Sequence, residues 1–133
     1  MKHVFADTSY FIALLSRRDA HHEKARALAR TLDAPLVTSE PVLTELLDAF
    51  SDRPLRRPAE RLVDALRDGG ADVVSWSGAL FDRALGLWKK RHDKEWGLTD
   101  CASFVIMAER EIAHALTADA HFQQAGFRAL LLE

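Results

Sequence analysis

Four carboxylates stand where their surroundings give them chemical possibilities. Asp7 follows Val4-Phe5-Ala6, a short apolar run that reads as a strand, and precedes Thr8-Ser9, either of which can cap the helix suggested by Tyr10, Phe11, Ile12, Leu14 and Leu15. Asp119 ends a second apolar run, Ala115-Leu116-Thr117-Ala118, ahead of a small helix. Asp100 opens a stretch apolar on nearly every side, from Cys101, Ala102 and Phe104 to Met107, and a helix greasy all round is a buried helix. Glu45 lies on a third helix, on a flank with Val42 and Ala49 that can face a cleft. Each acid alone has an ordinary structural reading: Asp100 and Asp119 as helix caps, Asp7 in a turn, Glu45 on a helix surface. A single parallel sheet changes the balance, because it would carry three of the four to one edge, outside the carboxyl ends of its strands.

Carboxylates brought together raise one another's pKa and need a positive counter-charge. Hard oxygen ligands without clustered cysteine or histidine point to Mg²⁺ or Mn²⁺ rather than zinc or copper. Such ions held by aspartates and water suit phosphodiester hydrolysis, in which one activates a water and a second stabilises the leaving oxygen. Thr8, Ser9, Thr99 and Thr117 flank the acids and can orient them, bind a metal water or cap a helix. Other chemistries lack their minimal parts, since the chain has no GxGxxG, Walker loop or GxSxG. Cys101 reads as packing, His21-His22 as solvated helix surface and His121 as a polar helix residue close to Asp119. A phosphoacceptor of the receiver type fails because the third strand ends in Ser75-Trp76 where an aspartate is needed.

These acids require an alternating framework, and the chain supplies one. Asp19 can cap a second helix with a buried stripe of Ala25, Leu28, Ala29 and Leu32. Leu36-Val37-Thr38 is a strand, and Ser39-Glu40-Pro41 begins a third helix whose core stripe is Leu43, Leu46, Leu47 and Phe50. Pro54 and Pro58 punctuate a basic loop ahead of a helix through Leu62, Val63 and Leu66 that ends at Gly69-Gly70. Asp72 to Ser75 is a strand, and Ser77 caps a helix with Phe81, Ala84, Leu85 and Trp88 as its main stripe, widened by Leu80 and Leu87. Phe127 to Leu132 reads as a last strand. The pattern implies one α/β domain over residues 1–133, a parallel sheet between layers of helices.

The 133 residues, 48% hydrophobic and 29% charged, are those of an ordinary globular domain. No membrane-length apolar run or signal-peptide core is visible, so a cytoplasmic protein is expected. A lone cysteine forbids an internal disulfide. The net charge of −2 argues against a nucleic-acid partner only until the four acids are set aside, when the balance becomes +2. Arg53, Arg56, Arg57 and Arg61 form one basic cluster and Lys89, Lys90, Arg91 and Lys94 another, either able to meet phosphates. The plainer roles are solvated surface for the first and complement to a helix C-terminus for the second.

Val4-Phe5-Ala6-Asp7-Thr8-Ser9, Thr44-Glu45-Leu46, Leu98-Thr99-Asp100-Cys101-Ala102-Ser103-Phe104 and Leu116-Thr117-Ala118-Asp119-Ala120-His121-Phe122 together resemble the PIN-domain ribonucleases, especially the small VapC-like ones, over essentially the whole chain. The resemblance implies a three-layer α/β/α sandwich around a central parallel sheet of about four or five strands. It further implies an acidic pocket for Mg²⁺ or Mn²⁺ and metal-dependent cleavage of RNA. Asp7, Glu45, Asp100 and Asp119 match the acidic positions, and Thr8, Ser9 and Thr99 the accompanying hydroxyls. Many relatives are toxins that dimerise and are silenced by an antitoxin inserting a segment into the active-site groove, so a homodimer and a cognate antitoxin are expected. A housekeeping RNA-processing nuclease and a catalytically silent acidic protein-binding module are the alternatives. One position departs from the family pattern: Glu111 stands where glycine usually precedes the isoleucine leading into the fourth strand, which forfeits an easy left-handed helix end.

Overall fold

The computed structural model describes residues 1–52 and 54–133, so Arg53 of the first basic cluster lies outside the described residues. Five strands, β1 (Val4–Ala6), β2 (Leu36–Ser39), β3 (Asp72–Val74), β4 (His114–Leu116) and β5 (Arg128–Ala129), form one sheet in the order β3-β2-β1-β4-β5. Every neighbouring pair is parallel. Among the described residues seven α-helices occupy the connections: α1 (Thr8–Leu15), α2 (His22–Thr31), α3 (Glu40–Ala49), α4 (Arg56–Ala65), α5 (Gly78–Lys90), α6 (Leu98–Glu109) and α7 (Ala120–Gln124). The result is the three-layer sandwich expected. β1 is buried at all three positions, as a central strand covered on both faces must be. The strand order turns back between β1 and β4, and the crevice beyond their carboxyl ends is where such sheets place ligands. Phe5 and Ala6 pair with Ala115 and Leu116, which sets Asp7 level with Thr117.

Helix α6 carries six buried residues in its twelve, in keeping with its apolar sequence, and packs along α5 while also meeting α3 and α7. Three expected stripes are rotated or narrowed. On α5 the core side is Leu80 and Ala84, while Phe81 and Trp88 are 41% and 50% exposed. Both series satisfy helical spacing, and the smaller residues win the close approach to α6. On α3, Val42 joins Leu43 and Leu46 in the core and Leu47 is 40% exposed, because this helix must face α1, α4 and α6 at once. On α2, Ala25 is buried and Ala29 exposed.

Histidine 22 is buried rather than solvated. Its Nδ1 lies 2.7 Å from the Ala13 carbonyl, which can only accept, so Nδ1–H donates and satisfies an acceptor left over at the end of α1. Asp19 stands just ahead of α2, where its Oδ1 accepts from the His21 amide at 2.8 Å. Pro58 lies in the first turn of α4, which begins at Arg56 and so takes in Arg57 and Arg61 as well. That helix ends in a wide turn over Leu66–Gly70, closed by Gly69 at φ 108°.

The end of the chain is also not one strand. After β5 comes a 3₁₀ turn, Leu130–Leu132, in which Leu130 and Leu131 both face the core, whereas a strand would alternate them. The Leu131 amide donates to the Thr117 carbonyl at 3.1 Å. No helix among the described residues is long and apolar enough to cross a membrane.

Glu111 keeps the turn that glycine would make easily. It adopts φ 57°, with its amide donating to Ala108 at 3.3 Å and the Ile112 amide to Met107 at 2.8 Å, the double closure of a Schellman motif. Buried Ile112 and Met107 supply the accompanying apolar contact. The left-handed conformation costs a residue with a Cβ about 1–2 kcal/mol. Glu111→Gly should therefore raise stability by about 0.5–1 kcal/mol after the looser unfolded chain is counted, and Glu111→Val should lower it, both read from urea unfolding midpoints.

Candidate active site

Strand β1 delivers Asp7 to the crevice, and the first turn of α1 holds it there. Its carboxylate caps the helix, and its Oδ2 receives the Thr117 hydroxyl at 2.8 Å and the Ser9 hydroxyl at 3.0 Å. Those hydroxyl oxygens are themselves pinned, Ser9 Oγ by the Ala118 amide at 2.9 Å and Thr117 Oγ1 by the Asp119 amide at 3.0 Å. With an amide at each oxygen, both hydroxyl hydrogens are free to point at Asp7. Thr117 thus ties the carboxyl ends of β1 and β4 together, and its own carbonyl is held by Leu131.

Only 4% of Asp7 is exposed. Burial pushes its carboxyl up to about 6, against the pull of the Thr117 and Ser9 hydrogen bonds, and the nearby charge of Asp100 adds to the rise.

Asp100 occupies the third position of α6 and reaches back to accept the Gly97 amide at 3.2 Å. Asp119 caps α7 by accepting the His121 amide at 2.9 Å. Asp100 and Asp119 therefore cap their helices while their carboxylates also lie close together. His121, read from sequence as a polar helix residue, sits between them: its Nδ1 is 3.1 Å from Asp100 Oδ2 and 3.5 Å from Asp119 Oδ1. Asp100, Asp119 and His121 each offer one ligand atom within 4.8 Å of the others. Burial raises the Asp100 carboxyl, His121 partly offsets this, and the Asp119 charge adds to the rise. The signal for His121 was its place in the first turn of a helix capped by Asp119, which directs its ring back over the cap.

The remaining expected residues fall around this centre. Thr8 Oγ1 is buried and lacks a hydrogen-bond partner among the described residues. Glu45 is exposed on α3 and lines a groove of about 240 Å³ with Thr99, Leu98 and Trp76, so it stands outside the close group. Cys101 is buried, its thiol pushed up to about 11 chiefly by that burial, in keeping with packing.

Among the described residues no lysine or arginine pairs with Asp7, Asp100 or Asp119. The local donors are carboxylate oxygens, one imidazole and an unpartnered hydroxyl. That set fits a hard divalent cation with retained waters, and Mn²⁺ accepts the imidazole readily.

The Asp7 shift makes the metal-free chain sensitive to pH. A carboxyl that ionises near pH 4 when unfolded and near 6 when folded stabilises least once both states are ionised, so stability falls as pH rises across that window. In EDTA, the chain should lose about 1 kcal/mol between pH 5 and pH 7.5 by urea unfolding, and Asp7→Asn should remove that part of the decline.

A family model described as PIN domain matches residues 4–128. The 23S rRNA-specific endonuclease VapC20 of Mycobacterium tuberculosis, found in strains CDC 1551 / Oshkosh and ATCC 25618 / H37Rv, is 31% identical over 125 residues, covering 93% of this chain and 95% of the relative. The crystal structure of Mycobacterium tuberculosis VapC20, described as a Sarcin-Ricin loop cleaving toxin, superposes with a TM-score of 0.86 at 27% identity, over 93% of this chain and 95% of that one. With a matching family model over nearly its whole length and acids gathered at the turn of its parallel sheet, this chain belongs to the PIN-domain family.

Proposed function

We propose that this chain is a divalent-metal-dependent endoribonuclease and the toxin of a toxin-antitoxin pair. The observation that carries the reading is the meeting of Asp100, Asp119 and His121 within 4.8 Å, with Asp7 near enough to feel the charge of Asp100 and, among the described residues, no lysine or arginine paired with these acids. Likeness to VapC20 extends it to structured ribosomal RNA as the substrate class.

Asp7, Asp100 and Asp119 would hold Mg²⁺ or Mn²⁺, directly or through water, with Thr8 Oγ1 as a hydroxyl near Asp7 free to bind a metal water. Such an ion supplies an activated water and charge stabilisation at the phosphate. The protein's contribution is orientation. Ser9 and Thr117 fix the direction of the Asp7 carboxylate, and His121 occupies the gap between Asp100 and Asp119 and limits their repulsion. Glu45 and Thr99 line the adjoining groove, where a fourth carboxylate can orient water at the mouth of the site. An antitoxin segment entering this groove would block the acids. The exposed Trp76 and Phe81, in tilted contact with ring centroids 5.5 Å apart, favour a second copy packing at the start of α5.

Purified protein should cut a ribosomal stem-loop RNA with Mg²⁺ or Mn²⁺ and stop in EDTA. Asp7→Asn, Asp100→Asn and Asp119→Asn should each lower the rate by at least about 100-fold, and Ser9→Ala or Thr117→Val by roughly 10- to 100-fold. Induced expression should arrest growth, with relief by a co-expressed neighbouring reading frame. Variants that cut as well as the parent would remove the acids from the chemistry, and arrest without relief would remove the antitoxin.

A further inference from the structure

Around the turn from α5 into α6 lies a cavity of about 310 Å³ whose walls include Trp88, Arg91, Trp96 and Cys101. Its size is at the lower end of small-molecule sites, which run from ~300 to 1,000 Å³. Arg91 is held by an acid and by an aromatic ring. Its Nε and a terminal nitrogen donate to the two oxygens of Asp93 at 2.9 and 3.0 Å, and its guanidinium lies 4.8 Å from the centroid of the Trp96 ring. Trp96 is fixed in turn, by an edge-on contact with Phe104 at 4.9 Å and by its Nε1–H donating to Gln124 at 3.1 Å. The outcome is a flat cation held in one orientation with its charge already partnered. Such a group serves poorly as a mobile phosphate clamp and well as a stacking surface, one of the supports on which splayed bases lie.

Trp88 precedes Arg91 by three positions at the end of α5, on the same side, and leaves 50% of its surface open. Lys94 and His92 stand at the rim with Glu95. Once Asp93 is assigned to Arg91, the segment from Lys89 to Lys94 keeps three lysines that form no ion pair among the described residues. The rim thus offers cations for phosphates, while Glu95 offers an acceptor that a bare phosphate would avoid and the N–H groups of a base would use.

The cavity's wall shares two helices with the acids. Cys101 in its wall follows Asp100 directly, and successive helical residues point about 100° apart. Gln124, which holds Trp96, lies one turn beyond His121 on α7.

We propose that this cavity receives one unstacked nucleobase of the RNA strand, from a nucleotide neighbouring the phosphate that is cut, with Trp88 and Arg91 as its stacking surfaces and Lys94 on its phosphate. The identity of the strand rests on the nuclease reading above; the pocket itself is tested by binding without cleavage. Anisotropy of a fluorescein-labelled single-stranded oligoribonucleotide in EDTA, with an abasic nucleotide placed at each position in turn, should show one position where the parent loses affinity. Trp88→Ala should weaken the intact strand by roughly 5- to 100-fold and erase the penalty at that position, while Trp88→Phe keeps both. Lys94→Ala should reduce the salt slope by about 1 without changing the abasic pattern. The proposal is overturned if Trp88→Ala binds like the parent, if its loss is the same for every abasic strand, or if light scattering shows that the variant has merely lost a partner subunit. Cleavage in Mn²⁺ is read separately: a parent that binds with a single abasic-sensitive position and cuts nothing refutes the nuclease and leaves the pocket standing.

Discussion

Mutual repulsion among acids confined at one edge of the sheet is the constraint on which the rest of the structure turns. Asp7 is nearly sealed from water, and Asp100 feels both burial and Asp119. A fold gains nothing in stability from such an arrangement, since an ionised carboxylate out of water is costly unless its lone pairs are engaged. The chain answers with directed donors in place of basic partners. Two hydroxyls converge on Asp7, one amide goes to each of Asp100 and Asp119, and a single imidazole lies between the latter pair. An arginine in that gap would neutralise the acids permanently, whereas histidine can yield to a more strongly held cation. Whatever binds only the folded form then returns stability that the site withholds.

The topology makes this crowding geometrically simple. β1 and β4 are adjacent and parallel, so residues following each arrive at the same level, and Asp7 and Thr117 meet across a register set deeper in the core by Phe5 and Ala115. The strands are short, and one-residue slippage would reverse the faces of buried side chains. The heavy burial of Val4, Phe5, Ala6, Ala115 and Leu116 therefore governs both packing and the meeting of the polar groups.

Much of this was legible in the residues. Asp7 and Asp119 were marked by short apolar runs breaking at an acid, and Asp100 by its place at the head of an apolar helix, patterns local enough to survive without coordinates. Ser9 and Thr117 were visible as neighbours, although nothing local tells that both hydroxyls reach the same carboxylate oxygen. What resisted was orientation about a helix axis. On α5, Leu80 and Phe81 begin equally good stripes, and only the approach to α6 decides between them. His22 and His121 resisted for a related reason: each is polar on a short helix, and each is drawn inward by a partner from elsewhere, the Ala13 carbonyl or the Asp100 carboxylate. Glu45 was readable as an acid on a cleft-facing flank, but helical spacing carries no information on its separation from Asp100 across the groove.

The hydrogen bond from the Leu131 amide to the Thr117 carbonyl makes the 3₁₀ turn after β5 a clasp on the strand end that aims Asp7. Asp7 and that turn are far apart in sequence, so the aim of the carboxylate depends on a tertiary contact that no single segment can make alone.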